Sequence, residues 1–198
     1  MEVQRHGIEF ENYKIKQLTN LSKIEYEKLL PNKYISSYDL VDGIIVNYNA
    51  SIKTTKTGRI DCGSILTRMK EYDYKLIIGI YNQVNEYKIF HTEYIFNITK
   101  ENYNVLWGDL NYGEVEKFVK FIQQIPSGKE GQQRTKKERT YLKSLLECRN
   151  SLMKINPKVD SKIQRRVQCS ISLKDLLKSG ITYEVNSIDF KIQSNPRK

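Results

Sequence analysis

The chain has 198 residues, 39% of them hydrophobic, with a formal net charge of +10 and a sequence isoelectric point near 9.3. That length supports one sizeable core and leaves two independent domains cramped, and its longest apolar runs ("LIIGIY", "GIIV") are far shorter than the roughly 18 residues of a membrane span. The opening "MEVQRHGIEFENYKIK" lacks the apolar stretch of a leader peptide, so the expectation is a soluble, cytoplasmic protein with no membrane partner.

In chain order, the spacing predicts a first helix from about Gly7 to Leu18 and a second over Lys23 to Leu30, ended by Pro31. From Tyr34 to Thr54 the pattern becomes extended: "YISSYDLV", a turn at "DG" or "NYN", then "ASIKT". The run "YKLIIGIYNQ" is apolar enough for a strand buried on both faces, and "EYKIFHTEYIFNI" follows it after a turn near Asn85. Helices are then expected over Glu114 to Gln124, closed by Pro126, and over Thr135 to Ile155, closed by Pro157. The stretch between them, "PSGKEGQQRTKKE", reads as a basic loop, and "RRVQCSISL" as a late strand. The fold class is therefore α/β or α+β, a central mixed β-sheet flanked by helices. One domain is expected over residues 1–198, with a core in 1–125 and a basic helical segment and late strand in 126–198.

Cys62, Cys148 and Cys169 are far apart, form no CxxC pair and have only His6 and His91 as possible co-ligands. That argues against a disulfide framework or structural zinc and for packing roles in a reducing compartment. Charge is unevenly spread: between Lys129 and Arg166 there are twelve basic residues against four acidic ones, a net +8 of the chain's +10. One reading is a solvated helix face with salt bridges to its few glutamates. A surface that tracks phosphates accounts for the clustering better, because neutralising DNA phosphates demands adjacent Lys and Arg. Within it, Arg134, Lys136, Lys137, Arg165, Arg166 and Gln168 are candidates to grip phosphates or read base edges.

Three polar residues near the front are unusual for their positions. Ile8, Glu11, Ile15 and Leu18 share one helix face, which sets Glu11 on an apolar stripe, where a carboxylate needs an ion-pair partner or a bound cation. Asp39 falls inside the first extended run, where aspartate is disfavoured except at strand ends and turns. Alternation puts Ser51 and Lys53 on one face of the next strand and Ala50 and Ile52 on the other. Taken alone, Lys53 is an edge-strand solubility lysine; with Glu11 and Asp39 it has a shared chemical logic.

The succession "RHGIEFE" on a first helix, "YDLV" on a strand and "SIKTTK" on the following strand resembles the core of the PD-(D/E)xK nucleases, especially type II restriction endonucleases. The run "INPKVDSKIQRRVQCSIS" is similar to the C-terminal portion of some restriction enzymes. The resemblance implies a restriction-endonuclease-like core acting on double-stranded DNA with Mg²⁺, as a homodimer on a two-fold site. Residue by residue, it makes Asp39 and Glu11 the metal acids and Lys53 the motif lysine. Ser51 stands where the family has Asp or Glu, so Glu11, Asp42 or Asp61 must supply the missing charge, or the site is weakened. Two alternatives remain beside a restriction enzyme: a structure-selective nuclease of the junction-resolving or repair type, and a non-catalytic basic nucleic-acid-binding protein.

Overall fold

The computed structural model describes residues 5–31, 37–147, 149–160 and 163–193. In chain order the elements are α1 (Arg5–Thr19), α2 (Lys23–Glu27), β1 (Asn49–Thr55), β2 (Arg59–Ser64), α3 (Ile65–Arg68), β3 (Tyr74–Val84), β4 (Tyr87–Ile98), α4 (Tyr103–Trp107), α5 (Tyr112–Gln124), α6 (Lys129–Arg134), α7 (Lys136–Glu147), β5 (Lys154–Val159), β6 (Arg165–Ser172), α8 (Leu173–Lys178) and β7 (Tyr183–Gln193). They form a mixed α+β protein with a four-stranded mixed sheet, β1-β3-β4-β7, and a three-stranded sheet, β2-β6-β5. The chain divides into two compact units: residues 1–60, 72–99 and 180–198, and residues 61–71 and 100–179. No helix among the described residues is long and apolar enough to cross a membrane.

In the first unit β1 runs parallel to β3, while β3–β4 and β4–β7 are antiparallel. The β3–β4 hairpin turns at Asn85, which takes a left-handed φ of 52°, a conformation asparagine tolerates better than most residues. As its composition requires, β3 is buried on both faces along Leu76, Ile77 and Ile78. One face of the sheet is covered by α1, and its core gathers Phe10, Ile15, Tyr26, Leu40, Ala50, Ile52, Ile77, Tyr81, Phe90 and Ile192.

The buried face of α1 is rotated from the expected stripe. Ile8 is half exposed, whereas Phe10, Lys14 and Ile15 are buried. Phe10 fits because β3 carries Gly79 beneath it: a Cβ there would lie 2.5 Å from Phe10 Cζ. Lys14 is buried because its ammonium is 2.6 Å from the equally buried Glu93 carboxylate and donates to Gln17 Oε1 at 2.5 Å. Asn186 of β7 donates to the other Glu93 oxygen at 3.3 Å. A buried ion pair is costly to assemble and more costly to halve, so this pair fixes the position of α1 on the sheet.

In the second unit β5 and β6 form an antiparallel ladder, and α5, which buries Val115, Phe118, Val119 and Ile122, packs on β6. The long helix expected over Thr135 to Ile155 ends at Glu147; Asn150 adopts φ 55°, and the chain continues into β5. Pro157 lies within that strand, opposite Val167, rather than closing a helix. Proline is tolerated there because β5 is an edge strand. The expected basic loop is largely helical, as α6 and the start of α7. The expected strand at Tyr34 to Val41 is reduced, in its described part, to a single bridge between Leu40 and Ala50, and residues 34–36 lie outside the described residues. Cys62 and Cys169 are buried on β2 and β6; Cys148 lies outside the described residues.

Lys14→Met should destabilise the chain by about 3 to 5 kcal/mol, because it leaves Glu93 buried without its cation, and Lys14→Met with Glu93→Leu should recover most of the loss. Denaturant unfolding of the three proteins checks this; a loss under 1 kcal/mol for the single variant would show that Glu93 finds water or another partner.

Candidate metal and phosphate site

Asp39 is held at the open edge of β1 by backbone. Its N–H donates to Ala50 O at 2.7 Å, Leu40 and Ala50 exchange bonds of 3.1 and 2.9 Å, and the Val41 N–H donates to the buried Tyr26 hydroxyl at 2.8 Å. The carboxylate then extends the pairing: Asp39 Oδ2 accepts the Ile52 N–H at 2.5 Å, in the place of a neighbouring strand's carbonyl. Lys53 projects from the next position on β1, and its Nζ lies 3.2 Å from Asp39 Oδ2 and 3.0 Å from Ile52 O. Both side chains are about three-quarters or more buried. Asp39 and Lys53 are therefore in contact, with Asp39 carried beside an isolated bridge instead of on the expected strand.

Glu11 comes to the same place from α1. It and Asp39 line a pocket of about 250 Å³ together with Lys23, Tyr26, Glu27 and Tyr38. The Glu11 side chain is 18% exposed, and its Oε1 accepts a bond of 2.6 Å from Lys23 Nζ. Burial and then the neighbouring Asp39 charge push the Glu11 carboxyl above its ordinary value, and Lys23, with a smaller pull from Lys53, offsets this only in part. For Lys23, burial works downward, but the hydrogen bond and charge of Glu11 prevail and hold the ammonium above its usual range. The pocket is lined by three carboxylates, Glu11, Glu27 and Asp39, and one ammonium, Lys23.

Ser51 is fully buried and does not line the pocket. Asp42 is exposed, and its N–H is taken by Asn49 Oδ1 at 3.1 Å; Asp61 belongs to the second unit. Of the acids named as substitutes for the one expected at Ser51, Glu11 is the one that meets Asp39. Among the described residues there is no group of three or more His, Cys, Asp or Glu side chains placed to hold a metal ion. Two carboxylates nevertheless suit Mg²⁺, which dehydrates reluctantly and is commonly held by one or two carboxylates with waters and phosphate oxygens completing six-fold coordination. Burial first, and then the charge of Asp39, raise the Glu11 carboxyl, and a bound cation would favour the ionised form of both acids.

The candidate DNA-contacting residues divide in two. Arg134 at the end of α6, Lys136 and Lys137 at the start of α7, and Arg166 on β6 are exposed; Gln168 is half-buried on β6. Arg165 is spent on the fold: its guanidinium donates to Ile125 O at 2.8 Å, Asp160 O at 3.0 Å, Gln164 O at 2.7 Å and Pro126 O. Of the other basic residues in this segment, Arg139 is bound to Thr135 and Gln132, Lys143 to Glu147, and Arg149 to Glu114; Lys162 lies outside the described residues.

Lys23 and Glu27 are functional candidates that the sequence reading passed over. A usable signal was present in "SKIE": Ser22 and Glu25 form a reciprocal capping box that fixes Lys23 as the first residue of α2, the pattern expected of Ser-x-x-Glu before a helix.

No protein-family model, curated protein or solved structure matches the chain.

Glu11→Gln separates a strut from a site. A carboxyl whose value is raised in the fold favours the proton there, so the parent loses stability relative to the variant as pH rises from the ordinary value of 4.5 toward neutrality. The expected result is a thermal midpoint for Glu11→Gln equal to or above the parent's at pH 7, with the advantage shrinking toward pH 4. A midpoint several degrees lower at pH 7 would instead make the Lys23 pair a net stabilising contact.

Proposed function

We propose that the chain is a Mg²⁺-dependent, sequence-specific endonuclease of double-stranded DNA, of the type II restriction kind, with a restriction-endonuclease-like core in its first unit. The observation that carries this reading is the convergence of Asp39 and Glu11 on one pocket with Lys53 hydrogen-bonded to Asp39. The exposed cations Arg134, Lys136, Lys137 and Arg166 support a polyanionic substrate. A homodimer on a two-fold symmetric site is part of the same proposal.

Phosphodiester hydrolysis needs an activated water, a counter-charge for the transition state and help for the departing 3′ oxygen. Held by Asp39 and Glu11, Mg²⁺ would supply Lewis-acid polarisation of the phosphate and a bound water of lowered pKa. Asp39 is suited to hold a ligand rigidly, because one of its oxygens is already fixed by the Ile52 N–H. Lys53 is suited to orient the attacking water and to oppose the negative charge that grows on the phosphate oxygens. Its Nζ is pinned between Asp39 and Ile52 O, and a preorganised cation in a half-buried site acts more strongly than one in bulk water.

A second reading has an observation of its own. Glu11 already has a lysine partner and Ser51 is fully buried, which favours a non-catalytic DNA-binding protein in which the acids serve the fold. Digestion of a long defined DNA with Mg²⁺, followed by sequencing of the ends, decides between them. Discrete fragments are expected from the parent. Lys53→Ala should lower cleavage by at least about 100-fold, as for loss of one preorganised transition-state donor, with DNA binding retained in a gel-shift assay. Equal turnover in parent and variant would remove Lys53 from the chemistry, and no nicking at any divalent concentration would favour the second reading.

A further inference from the structure

The ammonium of Lys23 lies on one oxygen of Glu11, the helix acid of the pocket. Lys23 Nζ is 2.6 Å from Glu11 Oε1 and 3.8 Å from Glu27 Oε1. Glu11 is the inner partner, with 18% of its side chain exposed, and Glu27 the outer one, with 55% exposed. One ammonium on a flexible stem therefore stands between two carboxylates and needs little movement to exchange them. The backbone beneath it is fixed: Lys23 opens α2, and the Ser22–Glu25 capping box locks that end through bonds of 2.8 and 3.3 Å. The freedom of the device is confined to the side chain.

The charge balance of the pocket gives this arrangement a purpose. Glu11 and Asp39 line one pocket, and burial first and then the charge of Asp39 act against an ionised Glu11. Lys23, which also feels Asp39, makes that arrangement tolerable before any cation arrives. A divalent ion on Glu11 and Asp39 answers the same negative charge, and an ammonium still bound to Glu11 Oε1 would repel it. Glu27, one helical turn along α2, is placed to receive the ammonium when that happens.

We propose that Lys23 is the built-in counter-ion of the metal site: it occupies Glu11 in the metal-free protein and passes to Glu27 when a divalent cation takes Glu11 and Asp39. The inference rests on the metal-dependent reading of the pocket given above. It makes Lys23 a positioning residue that sets metal affinity, with Lys53 left to face the phosphate.

The test is titration of the full chain with Mn²⁺ at low ionic strength, reading free Mn²⁺ by its electron paramagnetic resonance signal, in the parent and in Lys23→Met, Lys23→Arg, Glu27→Gln, Lys23→Met with Glu27→Gln, and Asp39→Asn. Binding in the parent should be lost in Asp39→Asn. Lys23→Met should bind Mn²⁺ about tenfold more tightly, the scale of one unit charge removed from a half-buried cation site, whereas Lys23→Arg should stay near the parent. Glu27→Gln should bind more weakly, and the double variant should match Lys23→Met, because Glu27 acts only through the ammonium. Unchanged or weaker binding in Lys23→Met, with sensitivity to Asp39→Asn intact, would overturn the counter-ion inference alone. A Glu27→Gln defect that persists in the double variant would make Glu27 a ligand and overturn the exchange. Absence of Mn²⁺ binding in both parent and Lys23→Met, or binding indifferent to Asp39→Asn, would overturn the inference together with the metal-site reading beneath it.

Discussion

The open edge of β1 is the constraint on which the site depends. An edge strand leaves backbone N–H and C=O groups without strand partners, and these must be satisfied locally or left to water. Here Leu40 covers the edge at Ala50 only, and Ile52, the next residue whose backbone faces that edge, has both groups met by side chains: its N–H by Asp39 and its C=O by Lys53. The two side chains then pair with each other. Finishing the edge and assembling a carboxylate–ammonium pair are thus one act. Tyr26 extends the arrangement to α2, since its hydroxyl takes the Val41 N–H just beyond the bridge. The segment carrying Asp39 is in this way anchored from both sides, on β1 and on α2.

Glu11 reaches the same pocket by a different physical route. Its position is set by how α1 lies on the sheet, and that is decided further along the helix by Phe10 over Gly79 and by Lys14 on Glu93. Neither feature touches the pocket. The site therefore draws one acid from a local backbone device and the other from a helix whose seat is fixed by packing and a buried charge pair. The two acids differ accordingly in environment: Asp39 has a backbone donor, whereas Glu11 has Lys23 and a burial cost that Lys23 does not fully offset.

How much of this was legible in the residues depended on how local the cause was. The strands β1, β3, β4 and β6 follow from alternation, apolar runs and the Asn85 turn, and with them the place of Lys53 on β1. The buried face of α1 was misjudged because periodicity counts Lys14 as polar and cannot see Glu93, which is 79 positions further along the chain; nor can it see the gap that Gly79 opens for Phe10. The helix expected to run to Ile155 failed because proline was read as a helix stop, when at the edge of a sheet it is equally at home in a strand such as β5. β7 was missed because it is largely exposed, so hydrophobic alternation is weak and pairing with β4 decides its structure; β2 was missed because it is short, with only Ile60 and Cys62 as buried alternating positions. Lys23 was overlooked because one lysine on a short helix carries no chemical signature until Glu11 and Asp39 are seen beside it.

The path of the chain through its two units bears on the order in which the protein can be made. The sheet that carries Asp39 and Lys53 is completed by β7, whose Phe190 stacks on Tyr13 and whose Ile192 enters the core with Phe10 and Phe90. Between β4 and β7 the ribosome must first deliver residues 100–179, all of which belong to the second unit. A nascent chain that already displays both acids and both lysines still lacks the strand that closes the core beneath α1, and so the helix bearing Glu11 has no finished surface to settle on. The pocket lined by Glu11 and Asp39 therefore waits for residues 183–193 before the sheet beneath α1 is complete.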